Sequence, residues 1–283
     1  MHNLEIPIFG PKTAAQAITA GAHRLELNRT GSYAQGGITP TLDELKDLTP
    51  SSVSIPIRIM IRPRGPPPQG VDFIYTPTEI AVMQQDILHF KESGMLDVQR
   101  GDGFVFGVLR REGTEGVVVL DEKTCTELVG LARPYRCVLH RASDLLFSGE
   151  EEDDRQKLER VMETIVDCGF DGVLTSGGAG DASTSTNLAR LGRVVRLAEE
   201  DKVEIIVGGG VRSGNISRLV EGVETKTGGW FHSSCLVGGE FDSGEAGRLV
   251  GALQAASLSR ERSVTHPSEA YNFPPWLQIK RGH

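Results

Sequence analysis

The sequence predicts an α/β protein of the (β/α)8 TIM barrel class, a parallel eight-stranded barrel with outer helices. First, eight strand-like segments alternate with about eight helical ones, about every thirty residues, the length of one βαβ unit. Second, most of the strands are nearly continuous apolar runs, which is typical of a parallel sheet covered by helices. Third, a length of 283 residues permits one such barrel, as it would also permit two average domains. A doubly wound open sheet is the alternative, but the turn Phe9-Gly10-Pro11 lacks the GxGxxG pattern of that fold.

The first half of the chain contains four predicted strands, at residues 3–9, 24–28, 55–61 and 104–109. The first two alternate apolar with other residues, as expected when opposite faces of a strand meet different surroundings. Helices are predicted at residues 12–20 and 42–48 and after the third strand. The last of these has the strongest start signal, with Thr76 as N-cap, Pro77 at the first helical position and Glu79 completing a capping box.

The second half repeats the pattern. The fifth strand begins at Tyr135 and passes into polar residues at His140, and the remaining strands are predicted at 170–175, 204–207 and 230–235. Apolar stripes at helical spacing predict helices at 122–132, 158–166, 188–198, after Asn215 and at 246–257. No helical period follows Leu258. We therefore expect a barrel over residues 1–258 and an irregular C-terminal tail, 259–283, that packs on the barrel or on a partner subunit, with partial disorder as the alternative.

Composition excludes several classes of function. The chain is 39% hydrophobic and 24% charged, with a net charge of −8 and no dense Lys/Arg block, which argues against nucleic-acid or anionic-membrane partners. No apolar run reaches membrane-spanning length, and the N-terminal residues lack the pattern of a signal peptide. Four separated cysteines without a CxxC pair fit a reducing compartment, cytoplasmic or also nuclear.

Polar residues recur where the strands of such a barrel carry chemistry, near their carboxyl ends. Alternation predicts that Glu5, Glu26, Arg62 and His232 point into the barrel, whereas His140 and its neighbour point to opposite sides in an order that the sequence leaves open. The simplest interpretation is an ion-pair network that plugs the barrel. Because strands one, two, three, five and eight all contribute, we favour a site that combines acid–base groups with arginines for an anion.

The exit of strand seven, GGGVRSGN, and the end of strand eight predict an anion-binding turn. Glycines such as Gly209 let backbone N–H groups approach an anion, and Ser234 lies in the neighbouring strand end. A tight βα turn without a ligand is the alternative. A thiolate Cu(I) site is harder to assemble, because the cysteines fall on helices, inside a strand and at a strand end. No HxH or HxxxH pair supports a harder ion, so the metal ligands remain unassigned.

Ten segments, in order, resemble the CutC copper-homeostasis family: Glu5, GAHRLELN from residue 21, GGITPT from 36, IMIRPRG from 59, DFIYT from 72, FVFGVL from 104, LHRASD from 139, VLTSGG from 173, GGGV from 208 and FHSS from 231. The resemblance implies a barrel, a cytoplasmic location, oligomerisation, and copper binding and tolerance. The family's shared polar positions correspond to Glu5, Arg24, Glu26, Arg62, Arg64, Tyr75, His140, Arg141, Asp144, Thr175, Ser176 and His232.

Two departures from the family pattern are informative. Family members often carry cysteines one or two residues after the first two strand glutamates, where this chain reads Glu5-Ile6-Pro7 and Glu26-Leu27-Asn28. The usual FHRAFD reads LHRASD. The missing thiols argue against Cu(I) ligation at those places, while the acids, histidines and arginines are all present.

We therefore predict a CutC-like copper homeostasis protein that binds copper and has a polar pocket at the carboxyl-terminal mouth of its barrel. The alternative is a barrel enzyme that performs acid–base chemistry on a small anionic substrate, phosphate- or carboxylate-bearing. The predicted catalytic residues are Glu5, Glu26, His140 and Asp144. The predicted binding residues are Arg24, Arg62, Arg64, Tyr75, Arg141, Thr175, Ser176, Gly209, His232 and Ser234. Copper follows from the resemblance, no organic cofactor is implied, and the partners expected are a small anion or metal ion and further copies of the chain, as a dimer or tetramer.

Overall fold

The computed structural model describes residues 1–48, 53–148, 154–223 and 228–265, and it contains a closed barrel of eight parallel strands. The strands are β1 Asn3–Phe9, β2 Arg24–Asn28, β3 Ile57–Met60, β4 Gly103–Phe106, β5 Arg136–Leu139, β6 Gly172–Thr175, β7 Glu204–Val207 and β8 Trp230–His232. Each strand pairs with the next in sequence, and β8 closes the ring on β1, with Glu5 opposite His232. The predicted fold class is confirmed.

Helices cover the outside of the barrel. They are α1 Ala14–Thr19, α2 Leu42–Leu48, α3 Pro77–Glu92, α4 Glu122–Ala132, α5 Ser143–Phe147, α6 Asp154–Asp167, α7 Ser185–Asp201, α8 Ile216–Val223 and α9 Ser243–Thr265. The predicted capping box of α3 is present, since Thr76 accepts the Glu79 N–H and the Glu79 side chain accepts the Thr76 N–H. No helix in the described part of the chain is both long and apolar enough to cross a membrane.

The hydrophobic core has two parts. Outward-facing strand residues such as Leu25 and Leu27 pack with the helices in one large cluster. Inside the barrel, a smaller cluster consists of Met60, Val105, Val138, Leu174 and Ile206. These five side chains come from β3 to β7, one from each strand. Trp230 of β8 is partly buried and packs against this cluster. β1 and β2 instead bury polar side chains, among them Glu5, Arg24 and Glu26.

Two predicted strands end three residues early in the structure. β4 ends at Phe106, and Leu109–Glu112 instead pairs antiparallel with Val117–Leu120 in a hairpin that the sequence did not reveal. β8 ends at His232, and Leu236–Val237 pairs with Glu240–Phe241. In the second case, Cys235 has a φ of 51°, which takes the chain out of the extended conformation.

The last helix continues to Thr265, so the prediction that helical structure ends near Ser257 is wrong. Periodicity detects a pattern of apolar residues in the sequence, and SRERSVT has no such pattern, although its backbone is helical. Residues 266–283 lie outside the described residues. The packing of the predicted tail on the barrel or on a partner subunit therefore stays a prediction. Most of the predicted acidic loop at 150–154 also lies outside them.

Candidate functional site

A cavity of about 520 Å³ opens at the carboxyl ends of the barrel strands. This is the end at which barrels of this class carry their sites, and the volume suits a small molecule. The predicted site residues that line it are Glu26, Arg62, His140, Arg141, Gly209, His232 and Ser234. The predicted site residues that do not line it are Glu5, Arg24, Arg64, Tyr75, Asp144, Thr175 and Ser176.

Glu5 and Arg24 form a buried ion pair, with side chains only 1% and 2% exposed. Arg24 also donates to Glu204 at 2.8 Å, and its guanidinium carbon lies 3.8 Å from the centre of the Trp230 ring. For Arg24, which was predicted to bind a ligand, these contacts fit the plug interpretation instead. Glu5 connects this buried ion pair to the cavity, because its second carboxylate oxygen lies 2.7 Å from Nδ1 of the lining residue His232.

Glu5, Glu26 and His232, here called the Glu–His cluster, bring potential metal-ligand atoms within 4.8 Å of one another. They come from three adjacent strands, β2, β1 and β8. Glu26 Oε1 accepts a hydrogen bond from Asn28 Nδ2 at 3.0 Å, whereas the buried Oε2 has no hydrogen-bond partner among the described residues. A carboxylate oxygen buried without a donor is costly, and this cost makes the cluster a candidate for function.

Burial and charge shift the pKa values of this cluster in different directions. Burial would raise the pKa of Glu5, but the Arg24 charge and the His232 hydrogen bond outweigh it and lower the pKa to about 2. For Glu26, burial and the charge on Glu5 dominate and raise the pKa. Burial would lower the pKa of His232, but the hydrogen bond to Glu5 and the Glu26 charge raise it. The cluster therefore combines a permanent carboxylate with two groups that can exchange a proton.

His140 lies across the barrel from Glu5, since β5 is the fourth strand from β1 in either direction. Its Nδ1 accepts the Ala142 N–H at 3.3 Å, which places the proton of a neutral ring on Nε2. Burial, reinforced by the Arg62 charge, lowers the pKa of His140 to about 3, so the ring stays neutral at physiological pH. Nε2 is buried and has no partner in the described part of the chain.

Arg141 also lines the cavity, although it neighbours His140 in the chain. Its guanidinium forms an ion pair with Asp144. Asp144 in turn accepts hydrogen bonds from the Thr175 hydroxyl at 2.7 Å and from the Ser176 N–H at 2.8 Å. Asp144, Thr175 and Ser176 thus position the arginine without facing the cavity themselves. Gly209, at a φ of 92°, provides the surface on which the guanidinium lies.

Arg62 and Arg64 differ although the sequence predicted both as ligand-binding residues. Arg62 lines the cavity, where it donates to Gly37 O at 2.9 Å and to Asp72 at 2.7 Å, while its Nε has no partner among the described residues. Arg64 pairs with Glu79 at 2.6 Å. Its guanidinium lies 5.0 Å from the Tyr75 ring, away from the cavity. The strand has ended before Pro63, so its alternation no longer orients Arg64.

Of the lining residues that sequence reasoning missed, three bear on the chemistry of the cavity. Asp72 and Phe73 lie in the irregular loop after β3, and Phe73 has a φ of 65°, which places its ring 4.5 Å from the His140 ring. Only its place in the DFIYT segment distinguished Phe73 in the sequence. Arg212 lies in the glycine-rich exit of β7 and donates to Val211 O and Ser233 Oγ, each at 2.9 Å. Among the described residues it has no ion pair, in contrast to Arg62 and Arg141.

The thiols do not belong to this site. All four cysteines are buried, and none lines the cavity. Burial raises the pKa of Cys235 to about 11 and that of Cys137 to about 12, so neither is a thiolate at neutral pH. The residues at the mouth therefore do not fit thiolate coordination of Cu(I), as the departures from the family pattern had indicated.

Comparison with known proteins identifies the family. The model of the CutC family matches residues 2–233. The "Copper homeostasis protein cutC homolog" of Homo sapiens is 33% identical over 258 residues, which cover 90% of this chain and 81% of that protein. The chain belongs to the CutC family. A relative of the same name in Caenorhabditis elegans is 30% identical over 234 residues, covering 83% of this CutC chain and 80% of the relative.

Solved structures agree on the barrel. A CutC structure from Streptococcus agalactiae has a TM-score of 0.61 at 22% identity and covers 83% of this chain and 99% of that one. A phosphoribosyl anthranilate isomerase from Thermococcus kodakaraensis has a TM-score of 0.55 at 15% identity and covers 90% and 99%. At these identities the likeness shows the fold alone.

The CutC cavity combines three chemical capacities. The Glu–His cluster offers oxygen and imidazole ligands to a cation. Glu26 and His232 can exchange a proton, and the neutral His140 ring can donate a hydrogen bond. The arginines can hold an anion. Acid–base catalysis on a small anionic substrate stays a prediction.

Proposed function

We propose that this CutC protein acts in copper homeostasis and binds a copper ion at the Glu–His cluster. The relatives named as copper homeostasis proteins support the role. The observation that carries the site is the convergence of Glu5, Glu26 and His232, whose potential ligand atoms lie within 4.8 Å of one another, with Glu26 and His232 lining the cavity. Both oxygens of Glu5 are already engaged, one by Arg24 and one by His232, so Glu5 supports the site while Glu26 and His232 supply the ligands. A carboxylate and an imidazole suit Cu(II) better than Cu(I), which prefers sulfur ligands.

The hydrogen bonds of the cluster indicate which residues would hold the ion. Glu5 holds His232 through Nδ1, which leaves Nε2 as the ligand nitrogen, a common arrangement around metal-bound histidines. Glu26 would contribute the oxygen that has no hydrogen-bond partner in the described residues. A cation there would compensate the buried charge, and it would compete with the proton that burial favours on Glu26.

Equilibrium dialysis with Cu(II), followed by metal analysis and electron paramagnetic resonance, tests the proposal. We expect one copper per chain with nitrogen hyperfine structure. Glu26→Gln and His232→Gln should each weaken binding at least about tenfold. Two controls should bind as the wild type does: Glu245→Gln, a buried glutamate outside the cavity, and Cys235→Ser. Unchanged binding in the Glu26→Gln/His232→Gln double variant, or loss of binding in Cys235→Ser, would overturn the site.

We also propose the homo-oligomer, a dimer or tetramer, and the cytoplasmic location that the family resemblance implies. Light scattering on the purified full chain measures the first, and a monomer at micromolar concentration would contradict it. Cell fractionation measures the second, and recovery of the protein in neither the cytoplasmic nor the nuclear fraction would contradict it.

A further inference from the structure

Two buried hydrogen-bond donors at the CutC cavity have no partner among the described residues. They are His140 Nε2 and Arg62 Nε, on residues that are 2% and 3% exposed. Neither residue belongs to the Glu–His cluster, and His140 lies across the barrel from it. Because nearly all buried donors in folded proteins are paired, two such donors on residues that line one cavity are candidates for a ligand that accepts from both. The buried Tyr75 hydroxyl, which also has no hydrogen-bond partner among the described residues, is a neighbour of Arg62.

His140 is a donor and not an acceptor at this cavity. The Ala142 N–H occupies Nδ1, so the single proton of the neutral ring is on Nε2. The neighbouring Arg62 charge opposes a second proton on the ring. The ring proton is therefore fixed on Nε2, a buried atom of a residue that lines the cavity.

Arg62 is immobilised before any ligand arrives. Its Nη1 donates to Gln35 O at 2.7 Å and Gly37 O at 2.9 Å, and its Nη2 donates to Asp72 at 2.7 Å. The Phe73 ring packs against both donors, 5.0 Å from the Arg62 guanidinium carbon and 4.5 Å from the His140 ring. An apolar ring beside two oriented donors excludes water from them, which strengthens a hydrogen bond to a charged acceptor.

The charge balance of the cavity favours an anion. Of the three arginines that line it, Arg62 is paired with Asp72 and Arg141 with Asp144. Arg212, the third, donates only to neutral oxygens and has no carboxylate within ion-pair distance in the part of the chain that the structure describes. A ligand with a negative group would balance this charge.

We propose that the cavity binds a small organic acid, a carboxylate or a phosphate ester, whose acid oxygens accept hydrogen bonds from His140 Nε2 and Arg62 Nε. Arg212 supplies the balancing charge. The cavity volume of about 520 Å³ restricts the ligand to a small molecule. This site shares no residue with the copper site, so each can fail without the other.

Isothermal titration calorimetry on the metal-free full chain tests the site, with inorganic phosphate and succinate as probes in a chloride buffer of matched ionic strength. We expect saturable binding of at least one of them, one per chain. Whichever binds identifies the acid group. Nitrogen-15 histidine spectra should show the His140 Nε2–H resonance shifting as the same probe is added.

Variants complete the test. Arg212→Met, on a half-buried side chain, and His140→Phe, which keeps a ring but removes the donor, should each weaken binding at least about tenfold, the equivalent of one charge-assisted hydrogen bond. Arg110→Met, in the exposed hairpin, is the matched control and should bind as the wild type does. If His140→Phe does not fold, the affinity of Arg212→Met and the histidine spectra of the wild type still test whether the cavity binds the anion. No saturable binding of either probe, or wild-type affinity in Arg212→Met, would overturn the proposal.

Discussion

Replacing Arg24 by methionine should destabilise the barrel strongly, because it leaves the Glu5 carboxylate buried without its main partner. Glu5 is 1% exposed and cannot regain water, whereas Glu204, the other partner of Arg24, is 24% exposed and can. Breaking such a buried pair costs about 3–5 kcal/mol. For a chain of this size we expect the Tm to fall by about 6–20 °C.

A double-mutant cycle shows whether the cost comes from the stranded charge. Glu5→Gln added to Arg24→Met removes that charge, so the double variant should be more stable than Arg24→Met, with a coupling of about 0.5–3 kcal/mol. Thermal unfolding followed by circular dichroism near neutral pH measures all four proteins. Arg110→Met breaks an exposed pair with Glu112 and should change stability by less than about 0.5 kcal/mol. An Arg24→Met variant within about 1 kcal/mol of wild type, or a double variant no more stable than it, would refute the reasoning.

Two further predictions concern residues that line the cavity. Burial raises the pKa of Glu26, so ionising this carboxyl destabilises the folded protein as pH rises above the ordinary pKa of a glutamate. Glu26→Gln should therefore stabilise the metal-free protein by about 1–3 kcal/mol near neutral pH and by much less at pH 4. Equal or lower stability of the variant in neutral thermal melts would contradict this. Gly209→Ala should lower stability by at least about 1–2 kcal/mol, because φ is 92° and the new Cβ would lie 2.8 Å from Arg141 Nη1. Gly113→Ala is the control, because Gly113 has a φ of 69° but open space around it, and this variant should lose less stability in the same melts. If both variants lose the same stability, contact with Arg141 contributes nothing to the effect at Gly209.

The barrel could be predicted from the sequence because strand alternation and helix signals are local. Leu25 and Leu27 face the helices as predicted, and Glu26, between them, faces the interior. The alternation of side chains does not apply beyond the end of a strand. Arg64 follows Pro63 in a loop, where Asp72 and Glu79 decide its direction.

The loop residues of the cavity could not be predicted for the same reason. The left-handed backbone of Phe73 has no sequence signal, because φ above zero is unusual for a bulky side chain. The role of Asp144 depends on a hydrogen bond to Thr175, 31 residues later. Polar residues at strand ends therefore predicted the location of the site, while the division between lining and supporting residues required coordinates.

The hydrogen bond between Glu5 and His232 joins residues 227 positions apart, on the first and last strands of the barrel. The Glu–His cluster therefore does not exist in any partial chain that lacks β8, and it forms only when the ring closes. During synthesis, β8 must leave the ribosome before these groups meet, since domains fold as units. A growing or truncated chain thus cannot present this cluster to a metal ion, and cluster assembly reports that folding of the barrel is complete.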